Sequence, residues 1–407
     1  MNSAKMSKFL VISDSYPQPD QASGDLRFFT LLTLLALKHQ VLFCATGPNG
    51  TIQACKNTGS RLEEAGVLLG DIGLQHVLKN FKPDIVWFEF FHNVRADFLG
   101  LLQHHCPRAR IVVDSVDVHF NRFEAQARLT GKPEDELKAQ QVKAKELAAY
   151  AVADMVIAVS EDDRQLIRQT LPDLPVEIIP NIHVIPAFRD GKKRVYGELV
   201  FVGGFKHAPN VDAMLYFCSE VMPIIIAARP LTRLKIIGSH LPQVVGALAN
   251  ESIEVVGYVP DTAPYLQSAY VSVAPLRFGG GLKGKVGEAM AHGLPVVTTS
   301  FGAEGFALKD GEDLLVGDSA ERFAAQVIAL LEDDDLHERV ARRGYQFIKQ
   351  HYSVVAVQAM IDSALQRLDN LPPRSYTLHR QLRIRLERWY NHYIGWRIGA
   401  QTDSGSP

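Results

Sequence analysis

Short apolar runs alternate with longer amphipathic stretches along almost the whole chain, and this alternation constrains the fold more than any other feature. The apolar runs have the length of strands and fall at residues 9–13, 41–45, 84–88, 110–114, 155–159 and 177–179, then at 198–202, 233–237, 253–256, 270–274 and 294–298. Stretches with helical spacing lie between them, among them 25–38, 140–151, 162–171, 210–227, 285–292, 320–331 and 353–368. Because such strands are typical of sheets buried on both faces, the pattern predicts an α/β fold with parallel sheets covered by helices.

The alternation stops once, in a polar and basic segment that follows Pro186. We predict a first domain over residues 1–187, a linker over 188–197, a second domain over 198–368 and an extension over 369–407. A length of 407 residues suits two domains. Each would be Rossmann-like and doubly wound. Such sheets bind ligands at the carboxyl ends of their strands, so the cleft between two facing domains is the expected site.

Charge and cysteine content exclude several classes of protein. Lysine and arginine number 43 and aspartate and glutamate 45, so no basic field favours a nucleic-acid partner. No run reaches the roughly 18 apolar residues of a membrane-spanning helix, and residues 1–8 show no secretory pattern. The 4 isolated cysteines favour a reducing cytoplasm. The acidic run at 333–335 is interpreted as a helix cap, so neither a metal site nor a cofactor is expected.

The most informative segment is a glycine-rich loop between the strand at 270–274 and a helix predicted to start near residue 284. Backbone N–H groups at a helix start, approached through glycines, bind anions, and two lysines add full charges there. A diphosphate is the expected guest, and a mobile loop with solvated lysines is the alternative. The candidate residues are Gly280, Gly281, Lys283 and Lys285.

Two positions in this helix refine the prediction. The segment matches a P-loop until Val286, which cannot hold Mg²⁺ as a serine or threonine would, so an NTPase is rejected. Glu288 lies one turn into the helix. It either decorates the first turn or accepts hydrogen bonds from the hydroxyls of a ribose or sugar, and both readings stay open.

Further candidates follow other strands. Gly203 and Gly204 form a turn after the first strand of the second domain, with Lys206 beside it, and Gly24 occupies the matching place in the first domain. This region lacks G-x-G-x-x-G, which argues against a nicotinamide dehydrogenase. Asp117 and His119 follow the strand at 110–114. There a functional role and a structural histidine are equally supported.

Six segments of the second half resemble the donor domain of GT-B glycosyltransferases, specifically the retaining family 4 group, whose members include enzymes of bacterial polysaccharide and O-antigen synthesis. The segments are residues 201–204, 209–212, 257–261, 272–276, 284–297 and 302–305. The first half resembles the more variable acceptor domain at residues 16–24, 114–119, 159–161 and 179–181.

The resemblance implies transfer of a sugar from a nucleotide-diphosphate sugar to a glycan or lipid-linked acceptor, with retention and without a metal. It implies that Glu288 reaches the ribose hydroxyls, that Tyr258 and Val259 lie along the base, and that His119 touches the donor sugar from the opposite domain. Lys283 and Lys285 would face the diphosphate.

The chain also departs from the family pattern. The first glutamate of the family's paired-glutamate motif would fall at Gly280, and the usual arginine and lysine after the glycine turn would align with Gly204 and Pro209. The missing positive charge would have to come from Lys206, Lys283 or Lys285. Two alternatives therefore remain: a nucleotide-sugar epimerase of the same fold, and a non-catalytic subunit that binds sugar or nucleotide.

A basic segment closes the chain. Between Arg374 and Arg397 there are six arginines and one glutamate, and Leu382, Leu386, Trp389, Tyr393 and Trp396 share one helical face. Such a helix could lie on an anionic membrane surface, which would make the protein peripheral at the inner face of the membrane. Docking on the first domain or on another subunit is the alternative.

Overall fold

The structure, a computed structural model, describes residues 6–20, 22–47, 56–70, 73–279 and 281–372. Within these residues the chain forms two parallel sheets, each covered by helices, which confirms the predicted α/β class and the two doubly wound domains. Gly280 and the basic extension at 374–397 lie outside the described residues.

The first domain alternates strands and helices. Its strands are β1 (Lys8–Ser13), β2 (Gln40–Ala45), β3 (Leu68–Leu69), β4 (Ile85–Glu89), β5 (Arg110–Asp114), β6 (Met155–Ala158) and β7 (Val176–Ile178). Its helices are α1 (Ser23–Ala36), α2 (Lys56–Glu64), α3 (Leu74–Phe81), α4 (Ala96–His105), α5 (His119–Thr130), α6 (Pro133–Ala151) and α7 (Glu161–Thr170). The strand order is β3-β2-β1-β4-β5-β6-β7. The order reverses between β1 and β4, so a crevice opens at the carboxyl ends of those two strands.

The second domain repeats this plan. Its strands are β8 (Glu198–Val202), β9 (Arg233–Ile237), β10 (Ile253–Gly257), β11 (Val271–Ala274), β12 (Val296–Thr298) and β13 (Leu315–Val316), in the order β10-β9-β8-β11-β12-β13. Its helices are α8 (Ala208–Tyr216), α9 (Met222–Ala228), α10 (Gln243–Gly246), α11 (Ala263–Ser268), α12 (Gly284–Ala291), α13 (Ser300–Ala303), α14 (Ala320–Glu332) and α15 (Asp334–Tyr352). Helix α16 (Val354–Asn370) follows. The crevice of this sheet lies between β8 and β11, where the glycine turn and the glycine–lysine loop meet.

The helix predicted at 210–227 is one continuous run, because a π-helical turn at Phe217–Val221 joins α8 to α9. From the sequence alone, no stretch able to span a membrane is expected. The run Ala208–Ala228 nevertheless has a mean hydropathy of 1.6 and is, by length and composition, apolar enough to cross a membrane. Its apolar side chains Met214, Phe217 and Ile225 are packed in the core of the second domain, as in the core helix of a globular protein.

The segment after Pro186 packs on the second domain. Phe188 lies edge-on to Tyr345 with ring centroids 5.3 Å apart, and the buried Arg194 guanidinium donates hydrogen bonds to backbone carbonyls at 266, 269, 292 and 293. The chain crosses between domains just before this segment. The backbone N–H of His183 donates to the carbonyl of Tyr352 at 2.8 Å, so the outgoing and returning crossings lie side by side.

Helix α16 carries the chain back to the first domain. Val357, Ile361 and Leu368 are fully buried in the core that includes Phe9, Leu31 and other residues of the first sheet and its helices. Lys38 and Arg367 form ion pairs with Asp362 and Glu177 that add to this contact. By packing, α16 therefore lies with the first domain, while the division at residues 187, 197 and 368 stays a prediction from the sequence.

An arginine inside the first domain holds its layers together. Both terminal nitrogens of Arg27 on α1 donate to the carboxylate of Asp114 at the end of β5, at 2.9 and 3.0 Å, and its guanidinium also donates to the carbonyl of Ile179. Both side chains are fully buried. A buried, bidentate pair with a further bond to a backbone carbonyl fixes the helix over the sheet edge that faces the cleft.

We expect Arg27→Met to lower the free energy of unfolding of the first domain by about 3–5 kcal/mol, because it leaves the Asp114 carboxylate buried and unpaired. Arg95 and Asp97 form a bidentate pair of the same type with side chains 61% and 64% exposed, so Arg95→Met should lose less than about 1 kcal/mol. Urea unfolding followed by tryptophan fluorescence measures both. Similar losses for the two variants would contradict this reading.

Candidate active site in the cleft between the domains

The predicted strand, glycine loop and helix are confirmed as β11, a loop with left-handed glycines, and α12. Gly279 and Gly281 have φ angles of 140° and 65°, which side-chain-bearing residues rarely adopt. Lys283 lies at the N-cap of α12, so the first free backbone N–H groups of the helix and two lysines lie together.

Lys285 is half-buried, whereas Lys283 is buried. Its Nζ donates to Oδ1 of Asn210 at 2.6 Å and lies 5.4 Å from the centroid of the Phe201 ring. Burial and the nearby Lys283 charge lower the pKa of Lys285 to about 8, while Glu288 opposes the shift. The ammonium is therefore still charged at neutral pH, in a place where a bound anion would stabilise it.

Lys283 is held between charges of both domains. Its side chain is buried, with Nζ 3.5 Å from a carboxylate oxygen of Glu304 and 4.1 Å from the Phe301 ring centroid. Burial lowers the pKa of Lys283 and Glu304 opposes the shift, as do Asp163 and Asp162 at the start of α7 in the first domain. The loop therefore contacts the opposite domain electrostatically.

Glu288 is half-buried, and its carboxylate is held by a neighbouring side chain of the second domain. Thr262 donates its hydroxyl to Oε1 of Glu288 at 2.5 Å, and burial raises the pKa of the carboxyl, a shift that the Thr262 hydrogen bond opposes. After β10, Tyr258 is 55% exposed, whereas Val259 packs on the core beneath α12. The structure thus places a half-buried carboxylate behind the lysines and an exposed ring at the cleft edge.

The glycine turn after β8 packs tightly. The N–H of Gly203 donates to the Ile237 carbonyl at 3.0 Å, and the carbonyl of Gly204 accepts from Nδ2 of Asn210 at 2.6 Å. Lys206 is exposed beyond the turn. His207, at the N-cap of α8, has its pKa lowered by burial and by the charges of Lys285 and of Arg122 in the first domain.

The first domain brings Asp117 and His119 to the same loop. Nε2 of His119 lies 2.7 Å from Oδ1 of Asp117, whose other oxygen is 3.3 Å from Arg122. A methyl group on Gly281 would lie 3.4 Å from Cβ of Asp117, so the glycine loop and this pair face each other across the cleft. Val116, which a methyl group on Gly24 would contact, has a φ of 56°, a strained value for a β-branched residue.

A buried carboxylate sets the position of His119. Glu146 on α6 accepts the backbone N–H groups of His119 and Phe120 at 3.1 and 2.8 Å and the Tyr150 hydroxyl at 2.6 Å. Burial raises the pKa of Glu146. The Glu146 carboxylate thus caps the N-terminus of α5 from the interior of the first domain, and this fixes the turn that carries His119.

A second group of polar and aromatic side chains lines the crevice between β1 and β4. The Ser13 hydroxyl donates to the buried Glu89 carboxyl at 2.5 Å, and burial raises the pKa of Glu89 well above its usual range. A hydrogen bond with His92 lowers the pKa of Asp14. The rings of His92 and His119 stack on Phe90, whose φ of 61° marks a strained turn.

Sequence reasoning missed the residues that hold the site in place. Asn210, Thr262 and Glu304 bind Lys285, Glu288 and Lys283, and Glu146 binds the start of α5. Asn210 alone carried a signal, since it stands in the first turn of a helix that follows a glycine turn. Across the described ranges, no group of three or more His, Cys, Asp or Glu side chains is placed to hold a metal ion.

Comparison with known proteins agrees with this architecture. Residues 197–333, about a third of the chain, match the family model described as Glycosyl transferases group 1. HepE from Anabaena, solved in complex with UDP and glucose, superposes over 88% of this chain and 99% of its own with a TM-score of 0.64 at 13% identity. Likeness at such low identity shows the fold, which is the two-domain GT-B fold.

Two curated relatives match part of the chain. The phosphatidyl-myo-inositol mannosyltransferase of Mycolicibacterium smegmatis is 31% identical over 218 residues, 50% of this chain and 55% of the relative. The lipopolysaccharide core biosynthesis glycosyltransferase LpsE of Rhizobium meliloti is 30% identical over 122 residues, 30% of this chain and 35% of the relative. The chain thus spans about half the length of the first relative and about a third of the second.

Two glycines of α12 allow the domains to approach. A methyl group on Gly284 would lie 2.4 Å from Cβ of Ser23 on α1, and one on Gly287 would lie 2.5 Å from Nε2 of His183. Burial lowers the pKa of His183 to about 4, so a neutral, packed imidazole meets the helix.

We expect Gly287→Ala to destabilise the closed arrangement by about 1–3 kcal/mol, because the methyl group would lie 2.5 Å from Nε2 of the buried His183 ring and force the packing to shift. Small-angle scattering should show a larger radius of gyration and thermal unfolding a lower midpoint. Gly246→Ala in α10 is the matched control, since its methyl group would lie at an ordinary 3.7 Å from Leu241. Equal behaviour of the two variants would contradict the packing argument.

Proposed function

We propose that the protein transfers a sugar from a nucleotide-diphosphate sugar to a glycan or lipid-linked acceptor. The observation that carries the proposal is the pair of lysines at the start of α12, Lys283 buried and Lys285 half-buried, with the carboxyl group of Glu288 one turn further along the helix. The glycosyl transferase group 1 match covers this segment, and relatives named as a mannosyltransferase and as a lipopolysaccharide glycosyltransferase support the reaction class.

The proposed chemistry depends on the leaving diphosphate. Sugar transfer builds negative charge on the phosphate oxygens as the anomeric carbon becomes cationic, and preorganised donors stabilise that charge most strongly where water is excluded. Lys283, Lys285 and the free N–H groups of α12 supply such donors. The proposal therefore needs no metal ion. We also propose that the configuration at the anomeric carbon is retained, with the acceptor attacking from the leaving-group side. The resemblance to the retaining family 4 group supports this part of the proposal.

The other candidate residues take roles on either side of this centre. Glu288, oriented by Thr262, would accept hydrogen bonds from ribose hydroxyls, and the exposed Tyr258 would lie along the base. His119 would meet the donor sugar from the first domain, with Asp117 fixing its ring. These roles match the places that the residues occupy around the cleft.

The acceptor would occupy the crevice between β1 and β4. Ring faces of Phe90 and His92 and the carboxyl groups of Asp14 and Glu89 are suited to the apolar faces and hydroxyls of a sugar. This arrangement favours an acceptor that presents a sugar or a comparable polyol, and it fits synthesis of a bacterial polysaccharide such as O-antigen.

Two other functions use the same fold. An epimerase would convert the donor without an acceptor, and a non-catalytic subunit would bind it unchanged. The position of the family's first glutamate is glycine here, which keeps the second alternative in the test. Mass spectrometry of products from a panel of nucleotide sugars, with and without acceptor glycans, separates the three functions.

We expect Lys285→Ala to lower turnover roughly 100- to 1,000-fold without unfolding the protein, because it removes a charge that stabilises the departing diphosphate. Steady-state assays with the donor found by the panel measure the loss. Lys309→Ala, an exposed lysine of the same domain, is the control and should turn over as the wild type does. A Lys285→Ala turnover within about threefold of the wild type would refute the assigned role.

We also propose that the protein is cytoplasmic and that residues 374–397 bring it to an anionic membrane surface. The described chain ends near Pro372, where Arg110 donates hydrogen bonds to the carbonyls of Leu371 and Pro372. Arg110 begins β5, so the described chain ends on the amino-end side of the first sheet, opposite its cleft. Membrane contact there would leave the cleft open to a lipid-linked acceptor.

Deletion of residues 374–407 should abolish flotation with vesicles that contain about one third phosphatidylglycerol, because six arginines supply the attraction to anionic headgroups. Vesicles of phosphatidylcholine alone, and the anionic vesicles in high salt, are the controls. The full chain should float with neither of them. Equal recovery of full and shortened chains with the anionic vesicles would rule out this role.

A further inference from the structure

The cationic side chains around the glycine–lysine loop differ in their partners. Arg277 donates two hydrogen bonds to the Asp212 carboxylate, at 2.9 and 2.5 Å, and Lys283 has Glu304 within 3.5 Å. Within the part of the chain that the structure describes, Lys285 has no carboxylate at ion-pair distance. Its hydrogen-bond partner is the neutral side chain of Asn210.

Asn210 is fixed on both sides. Its side chain is buried, and Nδ2 donates to the Gly204 carbonyl at 2.6 Å while Oδ1 accepts from Lys285 at 2.6 Å. This orientation satisfies both neighbours, since a flipped amide would set its NH₂ group against an ammonium and its oxygen against a carbonyl. A methyl group on Gly203 would lie only 3.0 Å from Nδ2, so the turn also limits how the amide can move.

A neutral acceptor has a consequence that a carboxylate would not have. An ammonium has three N–H donors, and Asn210 engages one of them without cancelling the charge. A carboxylate at the same place would neutralise the ammonium and compete with an arriving anion. Because the family's arginine and lysine positions are Gly204 and Pro209 here, this uncompensated charge matters more in this chain.

We propose that Asn210 is a positioning residue: it aims the Lys285 ammonium into the cleft and leaves its charge and its remaining donors for a diphosphate. The inference rests on the proposed function. Asn210 carries no charge itself, and it compensates for the missing cations by keeping the charge of Lys285 available. Asn210 itself touches Lys285 and the glycine turn.

The charged and titratable groups that face Lys285 set the sign of its pH dependence. They are Lys283, Glu288 and His207, and burial dominates over them in lowering the pKa of Lys285 to about 8. Diphosphate binding should therefore weaken above about pH 8 as the ammonium loses its proton. A carboxylate at position 210 would raise that pKa, and a side chain too short to reach would lower it.

The test is calorimetric binding of inorganic pyrophosphate between pH 6.5 and 10, which needs neither the sugar nor the base to be known. We expect Asn210→Asp to bind about tenfold more weakly at pH 7 and to move the alkaline loss of binding upward by about one pH unit or more. Asn210→Ser should move that loss downward. Asn210→Ser in a Lys285→Met background should change affinity by less than about twofold, because the two residues act together.

Gln326→Glu is the matched control. Gln326 is a largely buried amide of the same domain, and its Nε2 donates to the Val316 carbonyl at 3.1 Å. The Gln326→Glu variant therefore loses the same kind of hydrogen-bond donor as Asn210→Asp, at a place that does not contact Lys285. Its alkaline loss of binding should stay where the wild type has it. Thermal unfolding of each variant identifies any that do not fold, and Asn210→Ser carries the test if Asn210→Asp does not.

The outcomes separate this inference from the proposed function. Opposite shifts for Asn210→Asp and Asn210→Ser would support it. If the wild type binds pyrophosphate but neither variant moves the alkaline loss, the inference is overturned and the proposed function survives. If the wild type binds no pyrophosphate, both are overturned.

Discussion

Two lysine ammonium groups at the start of α12, one buried and one half-buried, determine how the cleft is built. Burial alone would favour the neutral amines, so each ammonium needs a partner that offsets desolvation. The two lysines have different partners. Lys283 has Glu304 and the acidic start of α7, and Lys285 has a neutral amide oxygen, the face of the Phe201 ring and the field of Glu288. The result is a site that carries positive charge before any anion arrives.

The first domain forms the opposing face of the cleft, and buried charged side chains fix the turns of that face. Arg27 locks α1 to the end of β5, and Glu146 locks the start of α5, so the turn between them is held from both sides. Strained backbone at Phe90 and Val116 lies in the turns after β4 and β5, where it aims the rings and Asp117 toward the second domain. Glycines on α12 then let the two faces come close without side chains between them.

The strands and the glycine–lysine loop could be predicted because apolar runs and glycines leave a local signal. Strands β5, β8 and β9 have the predicted bounds. Strands β3 and β13 were missed because two residues are too few to form a pattern. Asn210 and Thr262 were missed for another reason: their partners are 75 and 26 residues away in the sequence, and only the folded chain brings them together. The predicted helix cap at Asp333 is confirmed, since its carboxylate accepts the N–H of Leu336.

The return of α16 has a mechanical consequence. Since the helix is buried in the first domain, the chain as far as Pro372 moves with that domain. The second domain is joined to it by two adjacent backbone crossings at His183 and Ser353. Because both crossings lie at one place, the two domains can turn about that pair of backbone segments as about a hinge, with α16 moving as part of the first domain.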